Sequence, residues 1–236
     1  LREQEALHVL SNTVEYKDPE TASHIDRVAH YSKLLAEKCG LDEKEQGIVF
    51  YASPLHDIGK VGISDAILLK PGKLTEQEKN EMMKHSEIGF NILNNHENPY
   101  LKAGSLIAYT HHEKYDGSGY PRGLEGTEIR PLSRIMIVAD AFDAMTTNRV
   151  YKPKKTVEGA LDELNELSCL HFHPEVVEAA TKALKDVVID INISQLPNTD
   201  IEEQRFSYFY RDRLTNLFIL DYMPLIFRYY LNSKSA

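Results

Sequence analysis

Eight side chains able to bind a divalent cation are spread along this chain: Glu20, His24, the adjacent pair His56-Asp57, His85, the adjacent pair His111-His112, and Asp140. If they act together, helices far apart in sequence must converge on one point, which limits the fold more than composition does. Neighbouring helical residues diverge by about 100°. The His56 imidazole can therefore serve one cation while the Asp57 carboxylate reaches toward a second. Glu20 and His24 lie four apart, one helical turn along one face. Imidazole and carboxylate donors without thiolates suit divalent iron, manganese or zinc. The set reads as a multinuclear hydrolytic metal centre.

The rest of the sequence is punctuated as helix, with no convincing period-2 strand. A first amphipathic helix is predicted over about Glu3–Tyr16, and Asp18-Pro19-Glu20 turns into a second that ends at Gly40. Asp42 with Glu45 forms a capping-box pattern for a third helix running into His56-Asp57, and Thr75 with Glu78 repeats it for a helix bearing His85. A helix from about Tyr100 ends in His111-His112, and a glycine-dense loop, Asp116-Gly117-Ser118-Gly119-Tyr120-Pro121, follows it. Further helices are expected near Leu132–Thr146 with Asp140, Val157–Leu167 and Pro174–Lys185. The predicted class is all-α.

The net charge of −9 argues against a duplex nucleic-acid partner. It does not exclude a small anionic substrate, because bound cations invert the local field. Cys39 and Cys169 form no metal or redox motif and read as free thiols of a reducing cytoplasm. No stretch resembles a transmembrane helix or a signal peptide. The chain opens on Leu1 directly into a helical pattern, which suggests a further domain upstream.

The His56-Asp57-Ile58-Gly59-Lys60 segment, the His111-to-Pro121 segment and the Ala139-to-Met145 segment with Asp140 together resemble the HD-GYP domain, a subgroup of the HD metal-dependent phosphohydrolases. The resemblance covers about residues 8 to 186. It implies a helical bundle around a metal centre and hydrolysis of the bacterial second messenger cyclic di-GMP to pGpG, and on to GMP. It also implies that His24, His56, Asp57 and Asp140 hold one metal, and that bridging Asp57 with His85, His111 and His112 holds a second. Glu20 matches a position that in some members serves a third ion. Iron is the expected metal, manganese next. Lys60 would assist catalysis beside Asp57. Arg149 and Lys152 match substrate-contacting positions, with Asp18 a further candidate. Tyr120 and Pro121 lie in the loop that names the family, which is implicated in docking GGDEF cyclase domains and can equally serve as a rigid wall beside the metals.

His171-Phe172-His173-Pro174 departs from the Phe-Asp-Pro run of many members. His173 should cap its helix less well than Asp, and the two histidines are expected in an exposed loop. Character changes near Val187–Pro197 set the expected division: a helical linker over 1–17, the catalytic domain over 18–190 and a short extension over 191–236. Within that extension, Phe209 to Leu217 is similar to the opening helix of a GGDEF domain, truncated or coincidental. The aromatic tail and the opening helix suggest contact with another chain, such as a second copy. The alternatives to cyclic di-GMP hydrolysis are a silent cyclic-dinucleotide receptor or cyclase-docking module, and a phosphohydrolase acting on another nucleotide.

Overall fold

The computed structural model describes residues 2–15, 22–147 and 154–185. The chain divides into two units, Leu1–Val188 and Ile189–Ala236, and the second lies outside the described residues together with the Phe209–Leu217 segment. Among the described residues the architecture is helical, with two isolated β-bridges and no strand. The helices are α1 (Arg2–Glu15), α2 (Ala22–Lys38), α3 (Glu43–Ala52), α4 (Asp65–Leu68), α5 (Glu76–Met83), α6 (His85–Leu93), α7 (Pro99–Thr110), α8 (Pro131–Thr146), α9 (Val157–Glu166) and α10 (Pro174–Ala183).

Helix α2 packs against α3, α8 and α10, and α6 packs against α7. Ile25, Val28 and Leu35 of α2 and Met136, Val138 and Phe142 of α8 are all fully buried, and the two helices pack on each other. Tyr31 sets its edge against the Phe142 ring at 5.2 Å. Burying each such side chain contributes about 1.5–3 kcal/mol. Leu7 of α1 is buried with Leu55, Ile58 and Leu93, so this helix packs onto the segment that carries the histidine–aspartate pair.

Both capping boxes form. Asp42 accepts from the Glu45 amide at 2.8 Å, and Thr75 accepts from that of Glu78 at 3.3 Å. Two helix ends differ from expectation, and each bears on the site. Helix α3 stops at Ala52 because Pro54 has no N–H to continue the ladder. The chain tightens into a 3-10 turn over Ser53–Leu55, and a second one follows over Ile58–Gly62. His56-Asp57 therefore sits between two turns rather than on an α-helix. Asp57 adopts φ −99 and ψ 10, the sparsely allowed region where many active-site residues lie. Likewise α5 ends at Met83, and His85 opens the next helix instead of riding on the capped one.

His173 also corrects an expectation. It is buried, and its Nε2 lies 3.1 Å from the Arg134 guanidinium, which leaves it in neither an exposed loop nor a metal site. It makes no side-chain cap to α10.

Candidate metal centre

Three of the histidines are placed by one local device. A carbonyl oxygen in the last turn of a helical segment keeps a lone pair for a side-chain donor, even where a backbone amide already bonds it. His56 Nδ1 donates to the Ser53 carbonyl at 2.9 Å, His85 Nδ1 to that of Met82 at 2.7 Å, and His111 Nδ1 to that of Ala108 at 2.9 Å. Each ring folds back three residues onto the turn it follows. A carbonyl can only accept, so Nδ1 carries the proton and Nε2 of the neutral ring presents a lone pair.

Those lone pairs converge. His85 Nε2 lies 3.1 Å from His111 Nε2 and 3.2 Å from His112 Nε2. Asp57 Oδ1, buried and without a hydrogen bond, is 3.4 Å from His85 Nε2 and 3.5 Å from His111 Nε2. Unshielded acceptors this close repel one another, and a cation among them would remove the repulsion. Asp57, His85, His111 and His112 thus form one group whose ligand atoms all lie within 4.8 Å of one another. His24, His56 and Asp140 form a second group by the same measure. Asp57 joins the two: its Oδ2 is 3.2 Å from His56 Nε2 and 2.8 Å from Lys60 Nζ, opposite to the oxygen that faces His85 and His111. A carboxylate so placed can bridge two ions. The donor chemistry fits hard or borderline divalent metals.

Burial opposes charge on Asp57, but Lys60 and His56 outweigh it and hold the carboxyl well below its usual range. Burial likewise opposes protonation of His56, yet Asp57 and Asp140 push it up to about 9. Burial and the neighbouring His111 hold His85 down to about 4, and His112 is lowered for the same reasons. The Asp57–His85–His112 side is thus neutral imidazole around a carboxylate. Loading the other side displaces a proton from His56, so it is favoured as pH rises.

Tyr120 stacks on His112 with ring centroids 4.6 Å apart, and its amide donates to the His112 carbonyl at 3.1 Å. Pro121 follows it in the same loop. Glu113, which the sequence did not flag, fixes this arrangement. Its buried carboxylate accepts from the Arg122 amide at 2.8 Å and the Leu124 amide at 2.9 Å. The loop closes over residues 113 and 114 so tightly that a Cβ on Gly119 would lie 2.4 Å from the Lys114 nitrogen. Glu113→Ala strands two amides and is expected to cost about 1–3 kcal/mol. A thermal unfolding midpoint unchanged from the wild type would contradict that role. Asp143, equally unflagged, approaches His24 from α8. Its place three residues after Asp140, on the same helical face, was the available signal. Glu20, Asp18, Arg149 and Lys152 lie outside the described residues.

The HD domain pattern matches residues 8–176. A cyclic di-GMP phosphodiesterase of Thermotoga maritima is 48% identical over 183 residues, 78% of this chain and 50% of that protein. A 3'3'-cGAMP-specific phosphodiesterase of Vibrio cholerae is 47% identical over 175 residues, 74% of this chain and 34% of that protein. Among solved structures, a cyclic GMP-AMP-specific phosphodiesterase of Vibrio cholerae superposes with a TM-score of 0.57 at 18% identity, over 84% of this chain and 54% of that one, which shows the shared fold. The chain belongs to the HD domain family, and its motifs place it in the HD-GYP subgroup. It spans about half the length of the curated relatives first matched, 47% and 50% of them.

Proposed function

We propose that this chain is a metal-dependent phosphodiesterase that hydrolyses cyclic di-GMP to pGpG, and on to GMP, lowering second-messenger signalling. The observation that carries this reading is Asp57, whose two oxygens face separate groups of converging ligands. His24, His56, Asp57 and Asp140 would hold one ion, and Asp57, His85, His111 and His112 a second, with Glu20 offering a carboxylate to a third. Iron, then manganese, suits the nitrogen–oxygen set. When bound, the ions would lower the pKa of a shared water and neutralise charge growing on the phosphoryl oxygens.

The protein's own groups do the remaining work. Carbonyl-anchored imidazoles keep lone pairs aimed at the centre without reorganising. Lys60, held against Asp57 Oδ2, puts an ammonium beside the ligand groups for a phosphate oxygen. Burial and the charge of Asp57 raise the Tyr120 pKa, so its phenol stays protonated and offers a donor. Arg149, Lys152 and Asp18 would complete the substrate contacts. The stacking of Tyr120 on His112 supports the wall reading of the loop that ends in Tyr120-Pro121. Docking of GGDEF domains through the outer face of Gly119-Tyr120-Pro121, and pairing of two copies, are compatible with it.

In this reading residues 18–190 form the catalytic domain, between a linker over 1–17 and an extension over 191–236, and the enzyme works in the cytoplasm. Among the described residues no helix is long and apolar enough to cross a membrane. Relatives named for cyclic di-GMP and for 3'3'-cGAMP match at 48% and 47% identity, so identity alone does not choose between these substrates. Turnover by anaerobically prepared protein on cyclic di-GMP, 3'3'-cGAMP and cyclic di-AMP decides. The expected result is fastest release of pGpG from cyclic di-GMP. Faster cleavage of 3'3'-cGAMP would reassign the substrate, and binding without product would leave a silent receptor.

A further inference from the structure

His24 is oriented differently from the other histidines. It sits in the first turn of α2, where the groups left over by the helix are amides rather than carbonyls. No spare backbone acceptor of the kind used by His56, His85 and His111 arises there. The acceptor comes instead from α8: Asp143 Oδ2 lies 2.7 Å from His24 Nδ1. Arg27, one turn further along α2, holds that carboxylate with its Nε 2.5 Å from Oδ1 and its Nη2 2.9 Å from Oδ2. His24, Arg27 and Asp143 are all buried. One turn of α8 therefore addresses both nitrogens of one imidazole, since Asp140 Oδ1 stands 3.5 Å from His24 Nε2.

Resting on the metal-centre reading above, we propose that Asp143, locked by Arg27, is the positioning residue that fixes His24 as a ligand of the ion shared with His56 and Asp140. The carboxylate keeps the proton on Nδ1, frees the Nε2 lone pair, and through its negative charge makes that nitrogen a stronger donor than a carbonyl-bound ring. The centre is then asymmetric. His85 and His111 in one half and His56 in the other are anchored by backbone carbonyls, whereas His24 depends on one buried carboxylate.

The test is metal stoichiometry of Asp143→Asn against the wild type, by elemental analysis and metal titration of the intact chain. The expected result is one ion per chain fewer, with that ion bound about 10–100-fold more weakly and the remaining affinity unchanged. A merely structural defect would lower both affinities together. A variant holding every ion as tightly as the wild type overturns the inference while leaving the metal centre intact, whereas a wild type that holds no ion overturns both. A second measurement reads the wild type itself: long-range proton–nitrogen NMR of the zinc-loaded protein, with His24 assigned by its loss in folded His24→Gln. A proton on His24 Nδ1 supports the assignment, and one on Nε2 ends it.

Discussion

Asp57→Asn is expected to end turnover and strip metal from the protein while its helices remain folded. The carboxylate stands between two ligand groups, with Oδ2 toward His56 and Lys60 and Oδ1 toward His85 and His111. An amide keeps the shape but removes the charge and one of the two oxygens, so it cannot serve both groups. Metal ions contribute several kcal/mol to such reactions, and each 1.4 kcal/mol is a decade. Turnover should therefore fall by ~1000-fold or more. A ligand at a hundredfold excess over its Kd stabilises the folded state by about 2.7 kcal/mol. Wild-type protein should show that gain on adding manganese under reducing conditions, and the variant should show little of it. A fully active variant with wild-type metal content would remove the bridging role.

Gly59→Ala is expected to be nearly as damaging without touching a ligand. An added Cβ would meet the His85 carbonyl oxygen at 1.9 Å and the Gly89 nitrogen at 2.5 Å. Both are backbone atoms, so no rotamer change relieves the overlap. The Ile58–Gly62 turn would have to separate from α6, and His85 would move with it. Overpacking of this kind costs about 3 kcal/mol, a fall in unfolding midpoint on the order of 10 °C for a chain of this size. Metal affinity should drop in parallel, on the side held by His85, His111 and His112. Near-wild-type unfolding with full metal binding would mean the contact is looser than described. In the sequence Gly59 stands out only as a member of the His56-to-Lys60 segment. Its close approach to His85 depends on a tertiary contact between residues far apart in the chain, which no local pattern announces.

The same contrast runs through the fold. Asp42 with Glu45 and Thr75 with Glu78 were legible because a capping box is local, and both boxes form. The all-helical class followed from periodicity in the same way. Helix breaks were harder to read. Pro54 stops α3 before the histidine–aspartate pair, so the helical divergence invoked for His56 and Asp57 does not apply there. Asp57 faces two ways because its own two oxygens do. Asp143 and Glu113 were illegible for a different reason. Spacing puts Asp143 on the face of Asp140 but does not name its partner, and only packing of α8 on α2 and closure of the glycine-rich loop give Asp143 and Glu113 theirs. His173 was expected in an exposed loop, yet it is buried with its Nε2 beside the Arg134 guanidinium.

Anomalous diffraction from crystals of manganese-loaded protein tests the central claim most directly. Two neighbouring peaks are predicted, one contacted by His24, His56 and Asp140, the other by His85, His111 and His112, with Asp57 touching both. No peak among these side chains, or a single ion that leaves Asp57 uncoordinated, would contradict it.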